Sequence, residues 1–338
     1  MKAFAYDGGA GGGSLGMAWT SVHPAPKPQL KAGHVLVEIR AAGINPVDYK
    51  LPQLMPSFIL GRRAAGLDFS GVVCDSASSK FPVGSKIFGL ADGTLAEKIS
   101  ASEEAIALKP DSLSFLEAAS LPTVALTGYQ GLLLGGATAG SSVLVIGASG
   151  GCGSVGTQIA KAVVGDEGKV GGICGTANLE KALALGCDVV ADYKNPAVLL
   201  GPDSPLRALA PFNCIYDTVT SPEAGDGLAG TTYDAALREA GLVGPETKIS
   251  AINGSGLRWL RMFLGWQETN FKLFFTQRRA DHLQQIAQWV EQGKLVPVLD
   301  SAAPFAFTPE GCVAAFERLK SRRAVGKIVV DVNRGQEK

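Results

Sequence analysis

Seven residues, Gly147-Ala148-Ser149-Gly150-Gly151-Cys152-Gly153, follow the apolar run Val143-Leu144-Val145-Ile146 and open into a helical stretch from Ser154 to Ala162. Residues without side chains let the backbone come close to a phosphate, while the first amides and the dipole of the following helix point at its negative charge. The G-x-x-G-x-x-G spacing predicts a pyrophosphate site for a dinucleotide, with Gly147, Ser149, Gly150, Gly151, Cys152 and Gly153 as its contacts. A second register, Gly151-x-Gly153-x-x-Gly156, begins several residues after the strand has ended and places Gly156 inside the helix, so the first is preferred. The chain holds 43 glycines, which makes chance spacings common. The competing reading is a tight strand-to-helix turn with no ligand.

The elements around the turn favour the dinucleotide. A short apolar strand, Val170 to Cys174, comes next, then Gly175-Thr176-Ala177-Asn178 and an amphipathic helix from Leu179 to Leu185. This is a βαβ unit. In NAD-selective sites an acid about 20 residues beyond the glycines takes the ribose hydroxyls and would repel a phosphate. From Gly168 to Leu179 there is no Asp or Glu. The segment offers Thr176 and Asn178, with Lys181 a turn further and Tyr193 in Asp192-Tyr193-Lys194 after the next strand. These donors suit a 2′-phosphate, and the expected cofactor is NADPH rather than NADH.

Composition sets outer limits. A chain of 338 residues is long enough for two domains, each with its own core. Lys plus Arg and Asp plus Glu both total 31, so the formal net charge is zero. Nucleic acid is not expected as a partner, since binding its backbone needs a basic face. No apolar stretch approaches the ~20 residues of a membrane span, and no signal-peptide core is visible. The six cysteines are at least 13 positions apart, and the three histidines form no ligand pair. Neither a disulfide frame nor a zinc knuckle is expected, and no metal site. The expected setting is reducing: the cytoplasm, or an organellar stroma or matrix if a transit peptide has been removed.

Periodicity divides the chain. Residues 1 to about 122 alternate short strands with Gly and Pro turns: Lys2 to Tyr6, Val35 to Ala42, Ser70 to Cys74, Lys86 to Phe88 and Leu95 to Ser100. Helical segments between Ser114 and Leu134 lead into the nucleotide-binding βαβ units, which run to about Phe275. Helix Asp281 to Gln292 precedes a last strand-helix-strand stretch ending in Gly326-Lys327-Ile328-Val329-Val330. Gly8 to Gly16 reads as a surface loop, because no strand-to-helix transition surrounds it. The apolar strand Phe271-Lys272-Leu273-Phe274-Phe275 would be hazardous as a bare sheet edge. It is expected to pair with its mate in a homodimer; the alternative is a strand buried inside the sheet.

Several segments together resemble the medium-chain dehydrogenase/reductase superfamily in its zinc-independent quinone oxidoreductase-like (enone/alkenal reductase) branch. They are Val35 to Lys50 with Gly43-Ile44-Asn45-Pro46-Val47-Asp48-Tyr49-Lys50, Gly66 to Val73, Ser120-Leu121-Pro122 with Leu126-Thr127-Gly128-Tyr129-Gln130, the glycine turn, Ile215-Tyr216-Asp217-Thr218-Val219, and the tail from Gly293 to Val330. The resemblance implies an α/β fold. A GroES-like β domain, residues 1–123 and 280–338, is formed by both chain ends; a Rossmann domain with a doubly wound parallel sheet, residues 124–279, is inserted between them, with the active site in the cleft. In zinc members a Cys stands in the place of Asn45 and a Gly-His-Glu run in that of Gly66-Leu67-Asp68; here both ligands are missing.

The chemistry implied is hydride transfer from NADPH to an α,β-unsaturated carbonyl or quinone without a metal. Charge arriving at the acceptor spreads onto oxygen, where hydrogen-bond donors stabilise it. Asn45, Tyr49 and Lys50 are the candidate catalytic residues: Asn45 as a donor to substrate or cofactor, Lys50 at the cofactor ribose or the developing oxyanion, Tyr49 as a proton donor. Asn45, Thr127 and Thr218 join the cofactor contacts. Against these stand plainer readings. Asn45-Pro46 initiates a turn, Asp48 caps it, Tyr49 packs, Lys50 is a surface charge, and Thr127 bonds back to its own helix. Arg62 and Arg63 are expected to face solvent. Two other functions stay open: reduction of an enoyl thioester, and a non-catalytic NADPH-binding structural or regulatory subunit.

Overall fold

The computed structural model describes residues 1–6, 19–24, 28–54, 63–220 and 231–333. The chain divides into two compact units, one of Met1–Thr123, Arg278–Gly293 and Pro297–Lys338, the other of Val124–Gln277 and Lys294–Val296.

The first unit is built on antiparallel strands: β1 (Lys2–Tyr6), β2 (Trp19–Pro24), β3 (His34–Gly43), β4 (Arg63–Ala64), β5 (Asp68–Ser76), β6 (Lys86–Leu90), β7 (Lys98–Ser102) and β8 (Ile106–Leu108). Helix α1 (Pro46–Leu54) follows β3, and α2 (Phe115–Ala119) follows β8. In β3 the burial alternates, as expected of a strand with one face on the core. Val37, Ile39, Phe69, Ile87 and Phe316 fill that core. One sheet runs β2-β1-β4. The expected strand Leu95 to Ser100 divides differently. Leu95 N donates to Ala65 O and Leu95 O accepts from Phe4 N, whereas β7 begins at Lys98, opposite Glu38 of β3. The segment crosses from one sheet to the other, so its apolar pattern continues while its partners change.

Among the described residues the second unit holds six parallel strands, β9 (Ser142–Ile146), β10 (Lys169–Cys174), β11 (Val189–Asp192), β12 (Cys214–Asp217), β13 (Lys248–Ala251) and β14 (Phe271–Leu273). Their order is β11-β10-β9-β12-β13-β14. This is the 3-2-1-4-5-6 order of a doubly wound sheet, in which ligands bind beyond the carboxyl ends where the order reverses, here between β9 and β12. Central β9 is apolar without alternation because helices cover both faces of such a sheet. Helix α3 (Pro122–Leu134) enters this unit and α4 (Gly151–Val164) follows β9. β14 lies at the sheet edge rather than inside it, and ends at Leu273, before Phe274 and Phe275.

The chain then returns to the first unit with β15 (Phe305–Ala306) and β16 (Val329–Asp331), completing a sheet ordered β15-β16-β3-β5-β6-β8, with β7 also on β3. Gly8 to Gly16 and Arg62 lie outside the described residues, as does the side chain of Arg63.

Candidate functional site

In the second unit the glycine turn is closed by its own backbone. Gly147 takes φ +84°, a conformation that favours glycine, and its amide and that of Ala148 donate to Ile173 O at 2.9 and 3.0 Å. Gly150 N donates to Gly147 O at 3.0 Å. A Cβ at Gly153 would lie 1.9 Å from Gly147 O, and one at Gly156 would lie 2.6 Å from Cε1 of buried Tyr216. These three glycines are required by the fold itself.

Gly150 differs. Its φ is −75°, and among the described residues a Cβ there would meet nothing closer than Gly147 O at 3.5 Å. The protein leaves space at Gly150 that its own packing does not need, directly before the first turn of α4. The first intrahelical bond is Ser154 N to Gly150 O at 2.8 Å, so the amides of Gly151, Cys152 and Gly153 precede it. Among the described residues no side chain caps this helix end. The donor set and the open space fit a pyrophosphate. Ser149 and Cys152 are half-buried beside it, the thiol next to the Tyr216 hydroxyl.

Thr218, just past β12, is half-buried and donates its hydroxyl to Ile146 O at 2.7 Å. A Cβ at Gly147 would meet that hydroxyl at 2.5 Å. Thr218 therefore holds the strand end at the turn. Thr127 on α3 is buried and shares a 2.6 Å hydrogen bond with the Thr276 hydroxyl.

Beyond β10 the residues read as phosphate donors meet neighbours from the end of β11. The Thr176 hydroxyl, expected to face a phosphate, donates to Asp192. β10 and β11 pair in parallel with Cys174 opposite Asp192, so the residues after each strand become neighbours. That bond holds the Asp192 carboxyl below its ordinary range. The same register brings Tyr193 and Lys194 against Gly175, whose Cβ would lie 3.2 Å from Tyr193 Cε1 and 3.7 Å from Lys194 Cε. Lys194 is thus a cation at this rim that the reading along β10 alone passed over. The signal was present in the parallel pairing expected of a βαβ unit. Asn178 and Lys181 are half-buried at the start of the following helix.

In the first unit Asn45 sits where β3 runs into α1. Gly43 is opposite Asp68 of β5 and Val329 of β16, and a Cβ at Gly43 would lie 3.0 Å from that of Asp68. This close approach gathers Asn45, Asp68 and Lys327, all buried. Asn45 Nδ2 donates to Asp68 Oδ2 at 2.9 Å and lies 3.5 Å from Thr123 Oγ1. The Lys327 ammonium donates to Asn45 Oδ1 at 2.7 Å and forms an ion pair with Asp68. The Thr123 amide and hydroxyl complete the Asp68 shell. The expected turn at Asn45-Pro46 does form, but the Asn45 side chain enters this network rather than bonding its own backbone.

Asp48 supplies the local cap. Its carboxylate accepts the Asn45 amide at 2.6 Å, reaching back from the third position of α1. Burial raises its pKa to about 7, opposed by that amide and reinforced by Asp68. In the interval from about 4 to 7 the native chain keeps a proton that the unfolded chain has released, so this residue makes stability fall as pH rises. Asp48→Asn removes the dependence. Urea midpoints at pH 5 and 8 are expected to show wild type losing on the order of 2 kcal/mol relative to the variant across that span. Parallel curves would show that Asp48 is ionised throughout.

Tyr49 is half-buried, packing against the core with Lys320 Nζ 5.5 Å from its ring centre, and burial raises its pKa. Its contacts are those of packing. Lys50, one residue on, is exposed. Among the described residues no three His, Cys, Asp or Glu side chains converge as a metal site.

A β unit formed by both chain ends, interrupted by a doubly wound nucleotide-binding unit with an open glycine turn, defines a dehydrogenase/reductase of the medium-chain type. Comparison with known proteins agrees. A family model described as zinc-binding dehydrogenase matches residues 185–330. The chain is 32% identical over 324 residues to 2-methylene-furan-3-one reductase of Solanum lycopersicum, covering 90% of this chain and 73% of that protein. It is 29% identical to the chloroplastic NADPH-dependent alkenal/one oxidoreductase of Arabidopsis thaliana, with the same coverage. An alcohol dehydrogenase superfamily protein from Novosphingobium aromaticivorans superposes with a TM-score of 0.75 at 26% identity, covering 92% of this chain and 95% of that one. The chain belongs to the medium-chain dehydrogenase/reductase superfamily, in its quinone oxidoreductase-like, enone/alkenal reductase branch.

Proposed function

We propose that this protein is an NADPH-dependent reductase of α,β-unsaturated carbonyls or quinones that works without a metal. The observation carrying the reading is 32% identity across 90% of the chain to an enone reductase. The space at Gly150 beside the first amides of α4 supports the nucleotide. Lys194 and Tyr193 at the rim beyond β10, with Lys181 and Asn178, favour a 2′-phosphate, while the Asp192 carboxylate is taken up by Thr176 and by the Lys194 amide at 2.9 Å.

Reduced nicotinamide, when bound, supplies a hydride to the acceptor. The chain's part is binding and charge stabilisation. Gly147, Ser149, Gly150, Gly151, Cys152 and Gly153 would hold the pyrophosphate, with Thr218 bracing their turn, and Thr127 would help to hold the rest of the nucleotide. Asn45 offers an amide hydrogen and exposed Lys50 a positive charge to oxygen as negative charge develops there; losing one such donor commonly costs about 2.7–4 kcal/mol of barrier. With Tyr49 engaged in packing, the closing proton comes from solvent. Asn45 and Asp68 already hold a cation, the Lys327 ammonium, which supports a metal-free centre.

The test is fluorescence titration with NADPH and NADH, followed by a panel of quinones, 2-alkenals and enoyl thioesters monitored by absorbance of the reduced nicotinamide. NADPH binding with turnover of 2-alkenals or quinones is expected. Turnover of enoyl thioesters alone would move the assignment to that substrate class, and binding without turnover would leave a non-catalytic subunit.

We further propose a homodimer formed through the β14 edge. Among the described residues that strand pairs only with β13, and beside it Leu257, Leu260, Phe263, Trp266 and Phe275 are between 54% and 70% exposed. Trp259 and Phe275 stack at 5.0 Å, giving the patch a rigid aromatic base. A second copy would satisfy the strand's open hydrogen bonds and cover the apolar rim together. Light scattering at micromolar concentration is expected to give twice the 34.9 kDa chain mass, and Phe263→Glu to return a monomer. A wild-type monomer would defeat the proposal.

A further inference from the structure

We infer that Lys327 is a positioning residue for the reaction, acting through the side-chain amide of Asn45; the inference rests on the reading that Asn45 serves as a donor to the reactants. Lysine is rarely buried without partners, and Lys327 is only 4% exposed. An ion pair with Asp68 alone would satisfy its charge. Its ammonium instead divides between Asp68 and Asn45 Oδ1 at 2.7 Å.

That division has a consequence for Asn45. A terminal amide rotates over a broad, nearly twofold torsion, and its two ends differ only in what they bond. With a cation on Oδ1 and a carboxylate on Nδ2, one of the two orientations is strongly selected. One amide hydrogen then goes to Asp68 at 2.9 Å, while the Nδ2 to Thr123 Oγ1 separation of 3.5 Å is at the limit of a hydrogen bond. The second hydrogen is the most weakly held donor of the network and the one available for exchange with an incoming oxygen. A cation on Oδ1 also withdraws electron density and strengthens both N–H donors. A residue 282 positions away in sequence thereby sets the direction and strength of the donor.

The experiment is a double-mutant cycle of Asn45→Ala and Lys327→Met, with kcat, KM and NADPH affinity measured well below each variant's melting temperature. Lys327→Met is expected to lower kcat at least tenfold with NADPH affinity within about threefold of wild type, to change kcat less than twofold when Asn45 is already Ala, and to be partly rescued by Lys327→Arg. Equal losses in both backgrounds, or a wild-type kcat in folded Lys327→Met, would overturn the inference. A wild-type rate in Asn45→Ala would instead overturn the role of Asn45 itself. Should Lys327→Met fail to fold, Lys327→Gln keeps a neutral donor to Oδ1 and runs the same cycle. In folded Lys327→Met, NMR of the Asn45 side-chain amide reports the orientation directly: its two hydrogens should shift and broaden, and unchanged signals would count against Lys327.

Discussion

Gly150→Val is expected to abolish NADPH binding at accessible concentrations, a loss of at least a hundredfold, about 2.7 kcal/mol, while the chain stays folded. The two halves of this result have separate causes. The backbone at Gly150 has φ −75° and ψ 178°, which any L-residue adopts, and among the described residues a Cβ there finds only Gly147 O at 3.5 Å. Replacing such a glycine even tends to stabilise by about 0.4–1 kcal/mol, because the unfolded chain has less freedom to lose. The valine methyls would instead fill the space before the amides of Gly151, Cys152 and Gly153, where a phosphate must come close. Gly153→Ala is the contrasting control. Its Cβ at 1.9 Å from Gly147 O forces the turn open, so stability and binding should fall together. Thermal melting and NADPH fluorescence titration on both variants separate the cases. Wild-type NADPH affinity in Gly150→Val would show that the turn is only a strand-to-helix connection.

Asp68→Ala should be among the most destabilising single changes in the first unit, at about 3–5 kcal/mol. Asp68 has no exposed surface and accepts from Asn45, from the Thr123 amide and hydroxyl, and from Lys327. Removing it leaves an ammonium that is 4% exposed without its counter-ion, and burying an uncompensated charge costs more than the lost bonds themselves. Adding Lys327→Met to Asp68→Ala should therefore restore much of the loss, since a neutral chain of similar length no longer needs a carboxylate. Equilibrium urea unfolding of the two variants checks this. If the double variant is less stable than Asp68→Ala, the ammonium is being compensated by other groups and the charge argument fails.

Local chemistry was the legible part of the sequence. The glycine turn, the strand before it, the helix after it and the returning strand are all encoded by neighbours: φ freedom at Gly147, an apolar run for a strand covered on both faces, and close helix approach at Gly153 and Gly156. Asp48 was readable as a cap because capping acts over three residues. The edge strand at Phe271 was readable by its composition, though not its end, because Phe274 and Phe275 are as apolar as the paired residues.

What tertiary structure alone decided is every contact that crosses between distant segments. Asp192 reaches Thr176 because β10 and β11 share a parallel register, which no scan along one strand can see. Leu95 changes sheets in mid-pattern because hydrogen-bond partners, unlike hydrophobicity, are not written locally. Asn45 read as a free donor or a turn residue; its amide is held by Asp68, 23 positions on, and by Lys327, 282 positions on, because Gly43 lets three strands close together. Sequence by itself determined the dinucleotide turn, which depends on residue types and short spacings, and through the resemblance of its segments the kind of chemistry. The structure decided which donors remain available for it, since a buried polar group must be satisfied by whatever the fold brings within reach.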